Sequence, residues 1–343
     1  MADSTPASRK RPSQQDVANR AGVSRTTVSF VINGTPGANI PEATRERVWA
    51  AVRELGFRPN AMAQGLRGHQ SNVLGFITDD IAVTPYAVEI TKGAQDAALE
   101  QGKTLLIIDT DGELEAEKRA TDLLVGWQVD GVIFATEHHR QVDPPKELDG
   151  VPCALVDCYD QDRRLASVVP DEVQGGKLAT ETLLHAGHRR IGFINGPEAF
   201  PASAGRLEGY RTALEAAGVA FDPALLRVGD WWQASAYDRT RELMSLPEPP
   251  TALFCANDWM AMGAYDALRD LGCEIPGDVA VVGFDDRKEI AAGLRPPLTT
   301  VALPYYEMGR WAVRFLLSEE ASSAESDPPQ VALPCPLVRR ESV

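Results

Sequence analysis

The stretch GVSRTTVSFVING, Gly22 to Gly34, opens on a glycine, places Ser24 where it can cap a helix, and stops at Asn33-Gly34. Val28, Val31 and Ile32 fall at helical spacing, giving the segment one apolar face. Arg25, Thr26 and, one turn on, Ser29 are then expected on the outward side, as is the bulky Phe30. Upstream, SQQDVANRAG reads as a helix with a Ser13 cap, apolar Val17, Ala18 and Ala21, and a stop at Gly22. Downstream, PEATRERVWAAVRELGF begins with Pro41 and repeats Val48, Ala51, Val52 and Leu55 as a buried face. Two short helices joined at a glycine, with a third to close the core, make a helix-turn-helix domain.

Charge is divided unevenly along the chain. Residues 1–70 hold ten Lys and Arg against five acids, a net of +5, so the other 273 residues carry −20 of the overall −15. A basic head on an acidic body is the layout of a nucleic-acid-binding module joined to something that should not touch DNA. In helix-turn-helix geometry the second helix lies in the major groove. Arg25 can take guanine O6 and N7, and Thr26 can hydrogen-bond a base or touch a thymine methyl. Ser24 and Thr27, at the helix N-terminus, suit phosphates. Phe30 offers only apolar contact, and Asn33 completes the candidate surface.

After the third helix comes GFRPNAMAQGLRG. Pro59-Asn60 breaks that helix and can cap a new one, but AMAQGLRG is too short to hold a helix alone. From residue 72 apolar runs alternate with amphipathic stretches. Strands are expected at 73–78, 104–109, 131–136 and 153–157, and after Pro170 in RIGFIN, TALFCAN and VAVVGFDD. Two sets of β-α repeats mean two parallel-sheet lobes, whose ligands bind beyond the carboxyl ends of the strands. Those ends carry Asp157, Asn257-Asp258 and Asp285-Asp286, while RLEGY supplies Arg206 and VGDWW supplies Trp231 and Trp232. Carboxylates and amides bind hydroxyls and an indole packs on a pyranose face, so the set fits a sugar, with a purine as the second ligand class. Asp258 reads as the cap of the helix WMAMGAYDAL. His138-His139 reads as part of a polar loop without a third ligand, so no metal is expected.

Taken together, DVANRAGVSRTTVSFVING, PEATRERV, LGFRPN and Ala63-Gln64-Gly65-Leu66-Arg67 resemble the DNA-binding head of the LacI/GalR family of bacterial transcription regulators. LLHAGHRRIGFINGP, RLEGYRTAL, PTALFCANDWMAMGAYDAL, IPGDVAVVGFDD and RPPLTTVALPYYEMG resemble the family's body, which is related to periplasmic sugar-binding proteins. The likeness spans residues 13–342. It implies a hinge helix at 60–67 that orders when two copies meet in the operator minor groove. Asn60, Ala63, Gln64 and Arg67 would face DNA there, and Leu66 would wedge between base steps. It also implies an effector cleft in which Arg206, Asn257 and Asp285 touch ligand and Asp157, Trp231 and Tyr305 line the walls. Asp79, Asp80 and Tyr86 would sit on the closing loop. The family often has an arginine where this chain has Phe30.

The expected architecture is therefore α plus α/β, with a tail at 1–12, a helix-turn-helix domain at 13–59, a hinge at 60–70 and a periplasmic-binding-protein-like body at 71–343. Within the body, 71–169 with 303–320 form the first lobe and 170–300 with 329–343 the second, so that QVALPCPLV is a last strand of the second lobe. No phosphate-binding glycine motif, nucleophile elbow or zinc-protease motif occurs, so neither an enzyme nor a cofactor is expected. Five scattered cysteines, no apolar run of membrane length and no apolar stretch after the basic N-terminus fit a cytoplasmic chain. The C-terminal PLVRRESV carries no leucine heptads, so a homodimer on a pseudo-palindromic operator is expected.

Phe30→Arg should change the operator selected from a randomised DNA pool while leaving effector binding intact; an unchanged operator refutes the base-reading role of Phe30. Leu66→Ala should weaken specific operator binding more than non-specific binding, and equal losses refute the wedge.

Overall fold

The computed structural model describes residues 12–35, 37–58, 71–81, 87–322 and 327–343. The expected hinge, with Asn60, Ala63, Gln64, Leu66 and Arg67, lies outside the described residues, as does Tyr86. Residues 1–72 and 73–343 form separate compact units.

The head is three helices: α1 (Gln14–Ala21), α2 (Arg25–Asn33) and α3 (Glu42–Leu55). Ser13 and Asp16 cap α1 reciprocally: Asp16 N donates to Ser13 Oγ and Ser13 N to the Asp16 carboxylate at 2.8 Å. Gly22, in the left-handed region at φ 66°, ends α1 and opens the turn. Ser24 then accepts from Thr27 N at 3.0 Å to start α2. Val17, Ala18, Val28, Val31, Val48 and Ala51 are buried together as the core.

The body holds two sheets of six strands each. β1 (Val73–Thr78), β2 (Thr104–Asp109), β3 (Gly131–Val142), β4 (Cys153–Asp160), β5 (Ala166–Pro170) and β11 (Gln330–Leu333) form the first, in the order β11-β5-β4-β3-β1-β2 and parallel throughout. β6 (Ile191–Asn195), β7 (Leu226–Val228), β8 (Ala252–Cys255), β9 (Ala280–Asp285), β10 (Thr299–Ala302) and β12 (Leu337–Val338) form the second, in the order β12-β10-β9-β8-β6-β7, with β12 antiparallel. In both sheets the strand order reverses beside the first strand, between β1 and β3 and between β6 and β8, which opens a crevice at the carboxyl ends. Helices α4 (Val88–Glu100), α5 (Leu114–Gly126) and α11 (Tyr305–Leu316) cover the first sheet. α6 (Glu172–His185), α7 (Pro201–Ala216), α8 (Gln233–Met244), α9 (Asp258–Asp270) and the single turn α10 (Lys288–Ala291) cover the second.

One boundary differs from expectation. QVALPCPLV is not a single strand of the second lobe: β11 pairs with β5 in the first sheet, and only β12 joins the second. Pro334 and Pro336 cannot donate to a ladder, so the run breaks between them and passes from one lobe to the other. The chain thus crosses between the lobes three times, after β5, β10 and β11.

Two helix pairs meet backbone to backbone. On α6 and α7, a Cβ at Gly209 would strike the Val173 carbonyl, and one at Gly176 would strike the backbone of Arg206. On α4 and α11, Gly93 and Gly309 do the same against Tyr306 and Ile90. Gly209→Val should therefore lower the stability of the body by about 1–3 kcal/mol or more in urea denaturation. An undiminished midpoint would show that the helices can separate without cost.

Candidate functional site

On the head, Arg25, Thr26, Phe30 and Asn33 are exposed, and Thr26, Phe30 and Asn33 share one face of α2 at i, i+4 and i+7 spacing. Phe30 is 40% exposed, so it does not pack into the head core. Ser24 and Thr27 cap the helix start, with their hydroxyls 2.9 Å apart. Ser29 departs from expectation. It is buried, and the Asn33 amide one turn on covers it and donates to its Oγ at 3.1 Å.

In the body, a cavity of about 390 Å³ lies between the carboxyl ends of the two sheets. Six of the residues expected to touch ligand or line the walls, Asp157, Arg206, Trp231, Asn257, Asp285 and, from the start of α11, Tyr305, line it. Asp157 on β4 is 1% exposed, and no donor meets its carboxyl oxygens in good hydrogen-bond geometry, although the Tyr305 hydroxyl stands near enough to oppose the rise of its pKa. Burial, and then the nearby charge of Glu172, hold its carboxyl well above the ordinary range. Asp285 ends β9, and burial raises its carboxyl too, against the pull of Arg206 and Arg287. Asp157, Trp231 and Asp285 all have φ in the left-handed region, at 57°, 74° and 107°. Such backbone is costly for non-glycine residues and is retained where it aims a side chain.

Arg206 on α7 is 4% exposed and is met on its edge by Glu172, the first residue of α6, which is 5% exposed. Nε and Nη2 donate to the two carboxylate oxygens at 2.7 and 3.2 Å, and Nη1 donates to the Ala256 carbonyl. The guanidinium lies on the Phe284 ring at 3.8 Å from its centroid, with Trp231 at 5.7 Å. Trp231 sits flat over Gly196, where a Cβ would enter the indole. Asn257 is largely committed to structure: its Oδ1 caps α9 by accepting from Met260 N at 2.8 Å, and its Nδ2 donates to the Trp231 carbonyl at 3.0 Å. It therefore holds Trp231 as much as it faces the cavity.

Three expectations are corrected. Asp79 does not line the cavity. Its carboxylate accepts from Glu137 N at 2.9 Å and pairs with Arg140 at 3.0 Å, which ties the end of β1 to β3, and its neighbour Asp80 faces the cleft instead. Asp258 is not the cap of α9, a role Asn257 fills; it is fully buried and accepts from Thr300 Oγ1 and Arg287 N, both at 2.7 Å. His138 and His139 are not in a polar loop. β3 runs on through an irregularity between Ala135 and Arg140, and this brings Glu137, His138 and His139 onto the cavity wall. Burial lowers the pKa of the His139 imidazole, and no metal-binding group of three exists among the described residues.

Sequence reasoning missed Glu172, Phe200 and the histidines. The strand-end rule would have found His138-His139 if GVIFAT had been extended. Glu172 follows a strand, β5, that was not anticipated. Phe200 stacks edge-on to both His138 and Trp231, bridging the lobes at the mouth of the cleft, and Trp232, 53% exposed, forms the rim.

The profile of bacterial regulatory proteins of the lacI family matches residues 14–60, and that of a periplasmic binding protein-like domain matches 180–343. The ribose operon repressor of Escherichia coli K12 is 34% identical over 308 residues, 88% of this chain and 91% of that protein. Catabolite control protein A of Priestia megaterium is 33% identical over 332 residues, covering 95% and 98%. Among solved structures, the lac repressor dimer bound to operator and the anti-inducer ONPF matches with a TM-score of 0.80 at 30% identity, over 97% of this chain and 99% of that one. The complex of the regulator CelR with cellobiose matches at 0.67 and 34%, over 97% and 100%. With a capped, outward-facing recognition helix in the head and a polar, aromatic-lined cleft between two parallel-sheet lobes, the chain belongs to the LacI family of DNA-binding transcriptional regulators.

Proposed function

We propose that the chain is a cytoplasmic repressor that binds a pseudo-palindromic operator as a homodimer and changes its operator affinity when a neutral sugar enters the interlobe cleft. The observation that carries the ligand class is Asp157. A buried carboxyl whose oxygens lack well-placed partners calls for groups that both donate and accept, and a sugar supplies adjacent hydroxyls that do. Asp285 offers a further acceptor from the opposite lobe, and the indole of Trp231 offers an apolar face for the ring C–H groups. The ribose repressor and the cellobiose-bound regulator among the relatives support the same class.

A homodimer is supported by large apolar side chains left exposed on the first lobe. Leu99 on α4, Ile107 on the edge strand β2, Leu114 and Leu123 on α5, and Trp127 just beyond it are all exposed. An edge strand flanked by such residues is what a second copy covers. On the head, Arg25, Thr26, Phe30 and Asn33 are the residues we assign to base edges, and Ser24 and Thr27 to phosphates.

A panel of neutral sugars, including ribose, glucose and cellobiose, should yield a ligand that alters tryptophan fluorescence and operator retardation together. Asp157→Ala and Asp285→Ala should each weaken that ligand by about 10-fold or more. A ligand that binds both variants undiminished would place the site elsewhere. Binding should also tighten as pH rises from about 5 to 8. The free carboxyls hold their protons above the ordinary range, and a sugar hydroxyl donating to them favours the ionised form, so protons are released. Calorimetry in buffers of different ionisation enthalpy measures that release, and proton uptake would contradict it.

A further inference from the structure

The cleft offers a ligand one strong cation, and that cation is already engaged. Arg206 is the one arginine or lysine among the described residues lining the cavity. Three of the five N–H groups of a guanidinium are spent, two on Glu172 and one on the Ala256 carbonyl. Asp285 stands 3.9 Å from Nη1 on the remaining side. Glu172 is as deeply buried as its partner, and it fits where it does because the neighbouring helix carries Gly205, where a Cβ would lie 2.6 Å from Cβ of Glu172. The pair is built into the contact between α6 and α7.

What the wall leaves unfilled is the opposite kind of group. Asp157 is fully buried at the cavity wall, and Asp80, Glu137 and Asp285 add further acidic groups around the same cavity. A phosphate or carboxylate adds negative charge among these acidic groups, and either meets them ionised or obliges them to hold protons, which costs affinity. To take the Nε–Nη2 fork of Arg206 it would have to displace Glu172 and leave a buried carboxylate unpaired, a costly outcome in a protein interior, and on the Nη1 side it meets Asp285. A hydroxyl-rich ligand without negative charge meets neither obstacle.

We propose that Glu172 is a specificity-determining residue: by occupying the fork of Arg206 it closes the cleft to phosphorylated sugars, sugar acids and other anions, and restricts it to hydroxyl-rich ligands that carry no negative charge. This rests on the reading of the cleft as an effector site. Specificity here is set by rejection as much as by attraction. Glu172 acts on the ligand through the guanidinium it neutralises.

The test titrates the full chain with inorganic phosphate and with two matched pairs, glucose with glucuronate and cellobiose with cellobionate, read by tryptophan fluorescence and calorimetry. The wild type should prefer the neutral member of any pair it binds by about 100-fold or more, and should bind phosphate weakly. Glu172→Gln keeps the shape and one acceptor for Arg206 but removes the charge. It should cut the neutral-to-anionic ratio by about 10-fold or more and raise phosphate affinity by a similar factor. Glu172→Asp, which keeps the charge, should retain the wild-type ratio. A wild type that binds the anionic member as tightly as the neutral one, or a Glu172→Gln protein with unchanged ratio and unchanged phosphate affinity, overturns the proposal. Should Glu172→Gln not fold, Asp285→Asn, titrated above the pKa of about 7 to which burial raises Asp285, removes a negative charge from the other side of Arg206 and must shift the ratio the same way. If no sugar binds the wild type, the effector reading fails, while the phosphate comparison still decides the role of Glu172.

Discussion

A guanidinium held away from water has to be met by acceptors around its edge, and the second lobe is arranged so that Arg206 is. Glu172 supplies two, from the first turn of α6, and the backbone of Ala256 supplies a third from just beyond β8. The Phe284 ring covers one flat side. Two helices and the ends of two strands therefore converge on one side chain, and they can do so because glycines let α6 and α7 touch through their backbones. The cleft has its shape because this ion pair occupies its floor. The cavity-lining groups Asp157, Asp285 and Trp231 each hold a backbone conformation that side chains resist.

Where the sequence could be read and where it could not follows from the range of the interactions involved. Helix caps are local. Ser13, Gly22, Ser24 and Gly34 each act within four residues, and each ends or starts a helix where their chemistry places it. Strand ends are nearly as local, so Asp157, Asn257 and Asp285 could be named as cleft residues before their neighbours were known. Membership of a sheet is not local. Nothing within QVALPCPLV says that its first half pairs with β5, some 160 residues earlier, while its second half pairs with β10.

The same distinction separates the residues that line the cleft from the displaced ones. Asp79 and Asp80 are adjacent and chemically alike, and only the position of Arg140 on another strand decides which one turns away from the cleft. Asn257 and Asp258 can both cap a helix. Thr300 and the Arg287 amide, both distant in sequence, claim Asp258 and leave the cap to Asn257. Glu172 was invisible for a related reason, since a glutamate at a helix start reads as an ordinary response to the helix dipole until its partner 34 residues away is seen.

The exposed Phe30 has a thermodynamic consequence for the head. Lys and Arg side chains that neutralise DNA charge release condensed counterions, so their share of the affinity falls steeply as salt rises. An aromatic ring on the same helix face releases none, and whatever it contributes comes from desolvated apolar contact. A head that presents phenylalanine on this face divides its affinity differently from one with arginine there, with less of it supplied by ion release. If Phe30 contacts a base edge as proposed, discrimination there should persist at ionic strengths where the contribution of Arg25 and the neighbouring cations has already weakened.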